Sequence, residues 1–128
     1  MSLPRTLRGY ARYRSHPFFF SLALVTVLAL MPGPAIPDVF QFWDKAQHAL
    51  AYCILAVFGV AAYPSRRWRV AAGLLIHGAL IEVLQGTLTT TRYADMTDWF
   101  ADTIGVSLGV LLVLCLTPIV ANRIKAWS

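Results

Sequence analysis

The sequence predicts an all-α polytopic membrane protein, a four-transmembrane-helix bundle with N- and C-termini cytoplasmic. Hydrophobic residues make up 58% of the 128-residue chain and charged residues only 13%, whereas soluble domains carry about 25% charged residues. Four apolar stretches alternate with short polar segments. Because a soluble chain of this composition would have too few charges to cover its surface, we expect one membrane-embedded domain over residues 1–128.

Helix length and proline positions define the predicted spans. A bilayer core about 30 Å thick needs about 20 apolar helical residues to cross it. Pro32 ends the first apolar stretch and Pro64 ends the second. The first stretch also has the basic start of a signal peptide, but its end, MPGPAIP, lacks a small-x-small cleavage site and we interpret it as a true span. The predicted spans cover residues of about 13–31, 46–63, 70–88 and 97–120.

The distribution of basic residues predicts the orientation. With four spans, the segment before the first, the loop between the second and third, and the segment after the fourth share one side of the membrane. These segments hold nine of the 11 Lys and Arg residues, and all six Asp and Glu residues fall on the other side. Positively charged loops face the cytoplasm. The net charge of +5 therefore reflects topology, and we expect no nucleic-acid partner.

Ionisable and amide side chains gather at the outer ends of the second, third and fourth spans, at helical spacings of three or four residues. A charged side chain at a helix centre in the membrane costs at least about 2.5 kcal/mol, so such groups need partners or a wet cavity. We therefore expect them to converge on a polar pocket open to the outside. The predicted ligand-binding residues are Asp44, Lys45, His48, Glu82, Gln85, Arg92, Asp98 and Asp102.

Single members of this set also have purely structural explanations. Asp44 would cap the second helix, and Asp98 would interact with the N-terminal dipole of the fourth. Lys45 would extend to lipid head groups. His48 would be a hydrogen-bonded packing residue, although it shares a helix face with Asp44.

Glu82 is the hardest residue to explain by structure alone. It lies about two helical turns from the outer end of the third span, roughly 9 Å deep at 1.5 Å per residue. At that depth it cannot cap the helix, and its structural alternative is an ion pair with Arg92 or Lys45. His77, mid-way along the same span, has no obvious acidic neighbour, and we expect it to be a packing residue.

Small residues on the fourth span predict a close helix contact. Ala101, Gly105 and Gly109 repeat at intervals of four residues. Such a small-xxx-small stripe lets two transmembrane backbones approach closely. We expect this face of the fourth helix to pack against another helix of the bundle.

Three short motifs, in this order, resemble the signatures of the VanZ-like family of integral membrane proteins. They extend over roughly half the chain, and the resemblance implies a bacterial inner-membrane protein, with the family associated with teicoplanin resistance. One position departs from the pattern, since Asp102 stands where we expect Asn, and the extra carboxylate favours cation binding. The motifs are D-K-x-x-H from Asp44 to His48, E-x-x-Q from Glu82 to Gln85, and R-x5-D-x6-G through Arg92, Asp98 and Gly105.

Two active roles follow from the resemblance and the polar cluster. In the first, the pocket binds an anionic or glycosylated lipid head group or a glycopeptide-related ligand of the cell envelope, with Arg92 and Lys45 at the anion. In the second, the protein is a membrane hydrolase or transferase acting on a lipid-linked substrate. That role makes Asp44, His48 and Glu82 the catalytic candidates, with His48 a general base oriented by Asp44.

A divalent cation is the one cofactor that the sequence leaves open, with Asp98 and Asp102 as candidate oxygen ligands. Two further roles remain. The first is a proton relay or transport through Glu82. The second is a structural partner subunit whose polar cluster only fixes helix packing. The expected partners are membrane lipids or a lipid-linked envelope precursor, and a homo-oligomer is compatible with all of these roles.

Overall fold

The computed structural model describes residues 13–31 and 41–126, and within them the chain is all-helical. A short 3-10 turn, Pro64–Arg66, connects the second helix to the third. Most of the segment between the first two predicted spans, residues 32–40, lies outside the described residues, as do both chain ends. The four α-helices are α1 (His16–Leu30), α2 (Gln41–Ala62), α3 (Arg67–Leu88) and α4 (Met96–Ala126).

Three stretches of helix are long and apolar enough to cross a membrane, namely Asp44–Ala62, Pro64–Leu88 and Met96–Ile119. The first helix, α1, is apolar but has 15 residues, fewer than the roughly 20 that a bilayer core requires. The all-helical class is therefore confirmed, and α2, α3 and α4 each contain a stretch that could span a membrane by length and composition.

The helices run in alternating directions. The side-chain amide of Gln85, near the end of α3, donates to the backbone oxygen of Ala29 near the end of α1, at 2.9 Å. At the opposite end, the rings of Phe18 and Tyr63 lie 6.4 Å apart, edge to face. We call the end where α2 and α4 begin and α3 finishes the polar end. The other, around the turn that carries Arg66, Arg67 and Arg69, is the arginine end.

The helices extend beyond the predicted spans at several points. Helix α2 already begins at Gln41 and α3 at Arg67, while α4 continues to Ala126. Hydropathy marks the part of a helix that lies in hydrocarbon, and a helix can continue into polar residues at either end. Asp44 consequently lies inside the first turn of α2 and does not occupy the capping position. Pro64 ends α2 as predicted.

The most extensive helix contact joins α2 to α4, and glycines make it close. A Cβ on Gly109 would lie 2.5 Å from the backbone oxygen of Cys53 and 2.6 Å from the Ala56 side chain. A Cβ on Gly105 would overlap the backbone carbonyl of Ala49. The small-residue stripe therefore packs against α2, as a close-contact motif requires. Buried apolar side chains extend this contact towards the arginine end: Leu55, Ala56, Val60, Val106 and Val110.

A hydrogen-bonded chain through His77 ties α1, α2 and α3 together. Thr26 donates its hydroxyl hydrogen to the Leu22 carbonyl at 2.7 Å and lies 2.9 Å from His77 Nε2. Nε2–H must therefore donate to Thr26, which leaves Nδ1 to accept from the Tyr52 hydroxyl, 2.9 Å away. The imidazole is a neutral, satisfied packing group, in agreement with the sequence prediction.

Candidate functional site

Lys45 holds the beginning of α2 to the beginning of α4. Its ammonium group lies 2.8 Å from Asp98 Oδ1 and 3.0 Å from Asp95 Oδ2, and it also donates to the Thr97 hydroxyl. These three partners occupy the three N–H donors of a lysine. Lys45 is thus committed to acids of the protein, and the predicted extension to head groups does not describe its contacts.

Asp95 caps α4, whereas the structural explanation considered for Asp98 is an interaction with the N-terminal dipole of that helix. Its Oδ1 accepts hydrogen bonds from the Thr97 backbone N–H at 2.8 Å and from the Thr97 hydroxyl at 2.6 Å. These bonds, with Lys45, lower the pKa of Asp95 to about 2 from an ordinary value of 3.8. Its own backbone N–H donates to Glu82 Oε2 at 2.7 Å. The α3–α4 loop therefore folds back over Glu82.

The lowered pKa of Asp95 predicts a pH effect on stability. Because the folded state holds this carboxyl ionised down to pH about 2, its contribution is present above pH about 4 and is lost as the pH falls towards 2. Thermal unfolding in detergent, measured from pH 5 to pH 2, should show a small loss that Asp95→Asn does not share. An equal loss in both proteins would contradict the capping role. The group is half-exposed, so solvent screening keeps the effect small.

His48 lies between two carboxylates of α4. Its Nδ1 is 3.0 Å from Asp102 Oδ1 and its Nε2 is 3.9 Å from Asp98 Oδ2. The acid in hydrogen-bond contact with the imidazole is thus Asp102 and not Asp44, which the sequence reading had given that role. The reason is that α4 approaches α2 closely at Gly105. Asp102 of α4 therefore lies nearer to His48 than Asp44, which is one turn away on α2.

Glu82 and Asp102 each bury one carboxylate oxygen without a partner. Glu82 is 5% exposed and Asp102 is fully buried. Glu82 Oε1 and Asp102 Oδ2 have no hydrogen-bond partner among the residues that the structure describes. Asp102 Oδ2 faces Gly78 of α3, where an added Cβ would lie 2.7 Å from it. The glycine makes room for a carboxylate oxygen that the described residues leave unsatisfied.

The ion pair proposed for Glu82 as a structural alternative is not formed. Lys45 pairs with Asp95 and Asp98, and Glu82 takes part in no ion pair within the described ranges. Its one hydrogen bond comes from the Asp95 backbone. The burial of the Glu82 carboxylate is therefore not explained by an ion pair with any cation that the structure describes.

Two overlapping groups of donor atoms centre on His48. One oxygen each from Glu82 and Asp102 lies with a His48 ring nitrogen, all within 4.8 Å of one another. Oxygens of Asp44 and Asp98 form a second such group with His48. The structure thus brings together five of the eight predicted ligand-binding residues from three helices, and the two predicted metal ligands, Asp98 and Asp102, fall in different groups.

Gln85 and Arg92 do not join this cluster. Gln85 is buried and directs its amide to α1, where it donates to Ala29. Arg92 makes hydrogen bonds with Thr89 through its backbone N–H and carbonyl. Its guanidinium has no hydrogen bond or ion pair to any described residue. Gln85 thus joins α3 to α1, and the charge of Arg92 is not paired with any described residue.

Two residues next to the site had not been predicted. Tyr52 is 2% exposed and its hydroxyl lies 3.4 Å from the point that a Gly78 Cβ would occupy, beside Asp102. It follows His48 by four residues and so shares its helix face, a signal that the sequence offered. Trp99 donates its indole N–H to the Leu75 carbonyl of α3 at 3.0 Å, and its position after Asp98 gave no sign of this bond.

No protein-family model, curated protein or solved structure matches this chain. The VanZ-like resemblance therefore stays a prediction from three short motifs. What the site does chemically has to be argued from the contacts and charges described above.

Proposed function

We propose that this chain is a VanZ-like protein of a bacterial inner membrane, with four spans and both termini in the cytoplasm, that binds a divalent cation between α2, α3 and α4. The cation and the polar end would face outside and hold the anionic head group of an envelope lipid or lipid-linked precursor. Two observations carry the proposal together: Glu82 and Asp102 each bury one unpartnered oxygen, and one oxygen of each carboxylate lies close to a His48 ring nitrogen.

Because these two oxygens are buried and have no hydrogen-bond partner among the described residues, a nearby positive charge would stabilise them. A buried polar group without a partner costs about 1–3 kcal/mol, and more when it is charged. The carboxylates at the polar end outnumber its cations, Lys45 and Arg92, and Lys45 is already bound by two of them. A cation between Glu82 and Asp102 would satisfy both oxygens, whereas an anion there would add to the repulsion.

The donor set of one imidazole and two carboxylates suits a divalent metal ion. Imidazole nitrogen is a ligand for Zn²⁺ and Fe²⁺, and carboxylate oxygen suits Mn²⁺ and Mg²⁺. Metal–ligand bonds of about 2.0–2.2 Å hold the ligand atoms of one ion closer together than 4.8 Å, so the three donors would have to move towards one another on binding. Asp95, through its N–H to Glu82, would orient one ligand from outside the coordination shell.

An envelope head group is the substrate class that fits around such an ion. Phosphate oxygens bind divalent cations, and an arginine guanidinium binds phosphate through paired hydrogen bonds. The unpaired guanidinium of Arg92 belongs to the loop that covers Glu82. The basic segments at the arginine end support a cytoplasmic location for that end, which turns the polar end outwards.

A structural role is the second candidate, and the contacts of α2 with α4 favour it. Lys45 and His48 each reach an acid across that interface. Such interhelical bonds stabilise membrane proteins by about 0.6 kcal/mol on average. If fixing the helices were their only task, cation affinity would be absent and each substitution would simply weaken the bundle.

Metal binding tests the proposal directly. The purified chain, stripped with a chelator and titrated with Mn²⁺ or Zn²⁺ in detergent, should bind one ion per chain by calorimetry. His48→Gln should weaken that binding at least about tenfold, since even residues outside the coordination shell contribute that much.

His77→Gln is the matched control, because it removes a histidine that lies outside both donor groups and is satisfied by Thr26 and Tyr52. It should leave the affinity unchanged. No saturable binding by the wild type, or an equal loss in both variants, would contradict the cation site.

A further inference from the structure

A cavity opens at the arginine end of the bundle, opposite the polar end that holds the proposed cation site. It has a volume of about 370 Å³ and opens between α1, the 3-10 turn and the first half of α3. That volume is at the small end of the ligand pockets of proteins, which span about 300–1,000 Å³. It can hold part of a chain-like ligand whose remainder lies outside the protein.

The lining of this cavity changes character from its mouth inwards. Arg66 and Arg69 line it at the membrane-interface end, and both are exposed. Deeper in, its walls are mainly apolar side chains of α1 and α3, among them Phe18, Leu22 and Leu74, and His77 is the polar residue of α3 in the lining. Cationic groups at the rim and hydrocarbon within are the complement of an amphiphile with an anionic head.

The two arginines have no acid to neutralise them at their own end. Every Asp and Glu that the structure describes lies at the polar end or in the loop that covers it, and none of the ion pairs among the described residues includes Arg66 or Arg69. The guanidinium of the neighbouring Arg67 lies over the Trp68 ring, 5.8 Å from its centroid, and Arg67 does not line the cavity.

We propose that this cavity is a binding site for an anionic phospholipid, whose phosphate contacts Arg66 and Arg69 and whose acyl chain enters between α1 and α3. Guanidinium groups bind phosphate in a fork geometry that an ammonium group lacks. Basic pockets between transmembrane helices are established sites for anionic head groups. The cavity opens at the arginine end, whereas the proposed cation site lies at the polar end.

The test measures lipid retention by the full chain. The wild type is reconstituted in nanodiscs that contain equal amounts of phosphatidylglycerol and phosphatidylcholine. It is then released from the nanodiscs, and native mass spectrometry identifies the lipids that stay bound. We expect phosphatidylglycerol to be retained preferentially. Arg66→Gln and Arg69→Gln should each reduce that preference about fivefold, since one basic residue at an anionic surface contributes about that factor.

Arg67→Gln is the matched control, since it removes the same charge from the same turn without touching the cavity. It should keep the preference. If it lowers retention as much as Arg66→Gln and Arg69→Gln, the attraction is one of diffuse surface charge and the proposal fails. Equal retention of both lipids by the wild type, or a second protein copy in place of lipid, overturns it as well.

A variant that fills the cavity separates acyl-chain binding from head-group attraction. A Cβ on Gly73 would meet nothing within 4 Å, so Gly73→Leu extends into open space and leaves both arginines intact. Loss of phosphatidylglycerol retention in a folded Gly73→Leu protein supports an acyl chain in the cavity. Unchanged retention contradicts it.

Discussion

Asp102→Asn is expected to stabilise the metal-free protein and to remove the stabilisation that a divalent cation gives to the wild type. The asparagine amide keeps an oxygen in place of Asp102 Oδ1, which lies 3.0 Å from His48 Nδ1. It also replaces a carboxylate beside Glu82 by a neutral group that carries N–H donors. Without metal the gain should be on the order of 1–3 kcal/mol, the usual cost of an unsatisfied buried group. At 100 times its dissociation constant, a cation stabilises the wild type by about 2.7 kcal/mol.

Unfolding in detergent, with chelator and with saturating Mn²⁺, measures both effects. The order of stability should reverse, with Asp102→Asn above the wild type in chelator and below it in Mn²⁺. Asp95→Asn is the same chemical change at a half-exposed carboxyl outside both donor groups, and it keeps the backbone N–H that donates to Glu82, so it should keep the response to Mn²⁺. If Asp102→Asn is less stable than the wild type by the same amount in chelator and in Mn²⁺, the cluster only fixes helix packing.

Gly105→Ala is expected to cause the largest loss of stability from a single methyl group. The added Cβ would overlap the backbone carbonyl of Ala49, which cannot rotate away as a side chain would. Helices α2 and α4 must therefore separate, and the contacts of Lys45 and His48 with α4 would lengthen with them. Overpacking costs about 1–3 kcal/mol, and a backbone obstruction lies at the upper end of that range.

The same substitution in α3 is the control for Gly105→Ala. A Cβ on Gly73 meets no atom within 4 Å, and replacing a mid-helix glycine by alanine stabilises a helix by about 0.5–1 kcal/mol. Denaturant unfolding in micelles should therefore shift in opposite directions for the two variants. Shifts of the same sign and size would mean that α2 and α4 are not in the close contact described here.

The helical fold was predictable because hydrocarbon leaves few alternatives for a polypeptide backbone. Apolar stretches located α2, α3 and α4, and the spacing of Gly105 and Gly109 predicted a close helix contact. Helix ends were less predictable. Hydropathy gives no clear signal where α2 continues through the mixed polar and aromatic residues from Gln41 to Lys45, because a helix outside the membrane core needs no continuous apolar surface.

The convergence of His48, Glu82 and Asp102 was predictable for the same reason, since each would be costly against lipid. The choice of partners was not. Whether Asp44 or Asp102 contacts His48 depends on how far α4 is rotated and how closely it approaches α2, and spacing along one helix carries no information on either. Gln85 shows the same limit, because its face is shared with Glu82 although its amide is directed to α1.

The most direct test of the cation site is X-ray absorption at the metal edge of the purified, Zn²⁺-loaded chain. The geometry predicts nitrogen and oxygen ligands at about 2.0–2.2 Å, with the outer-shell scattering of one imidazole, which disappears in His48→Gln and persists in His77→Gln. A spectrum of fully hydrated zinc, or an imidazole signal that His48→Gln leaves unchanged, would contradict a site built from His48, Glu82 and Asp102.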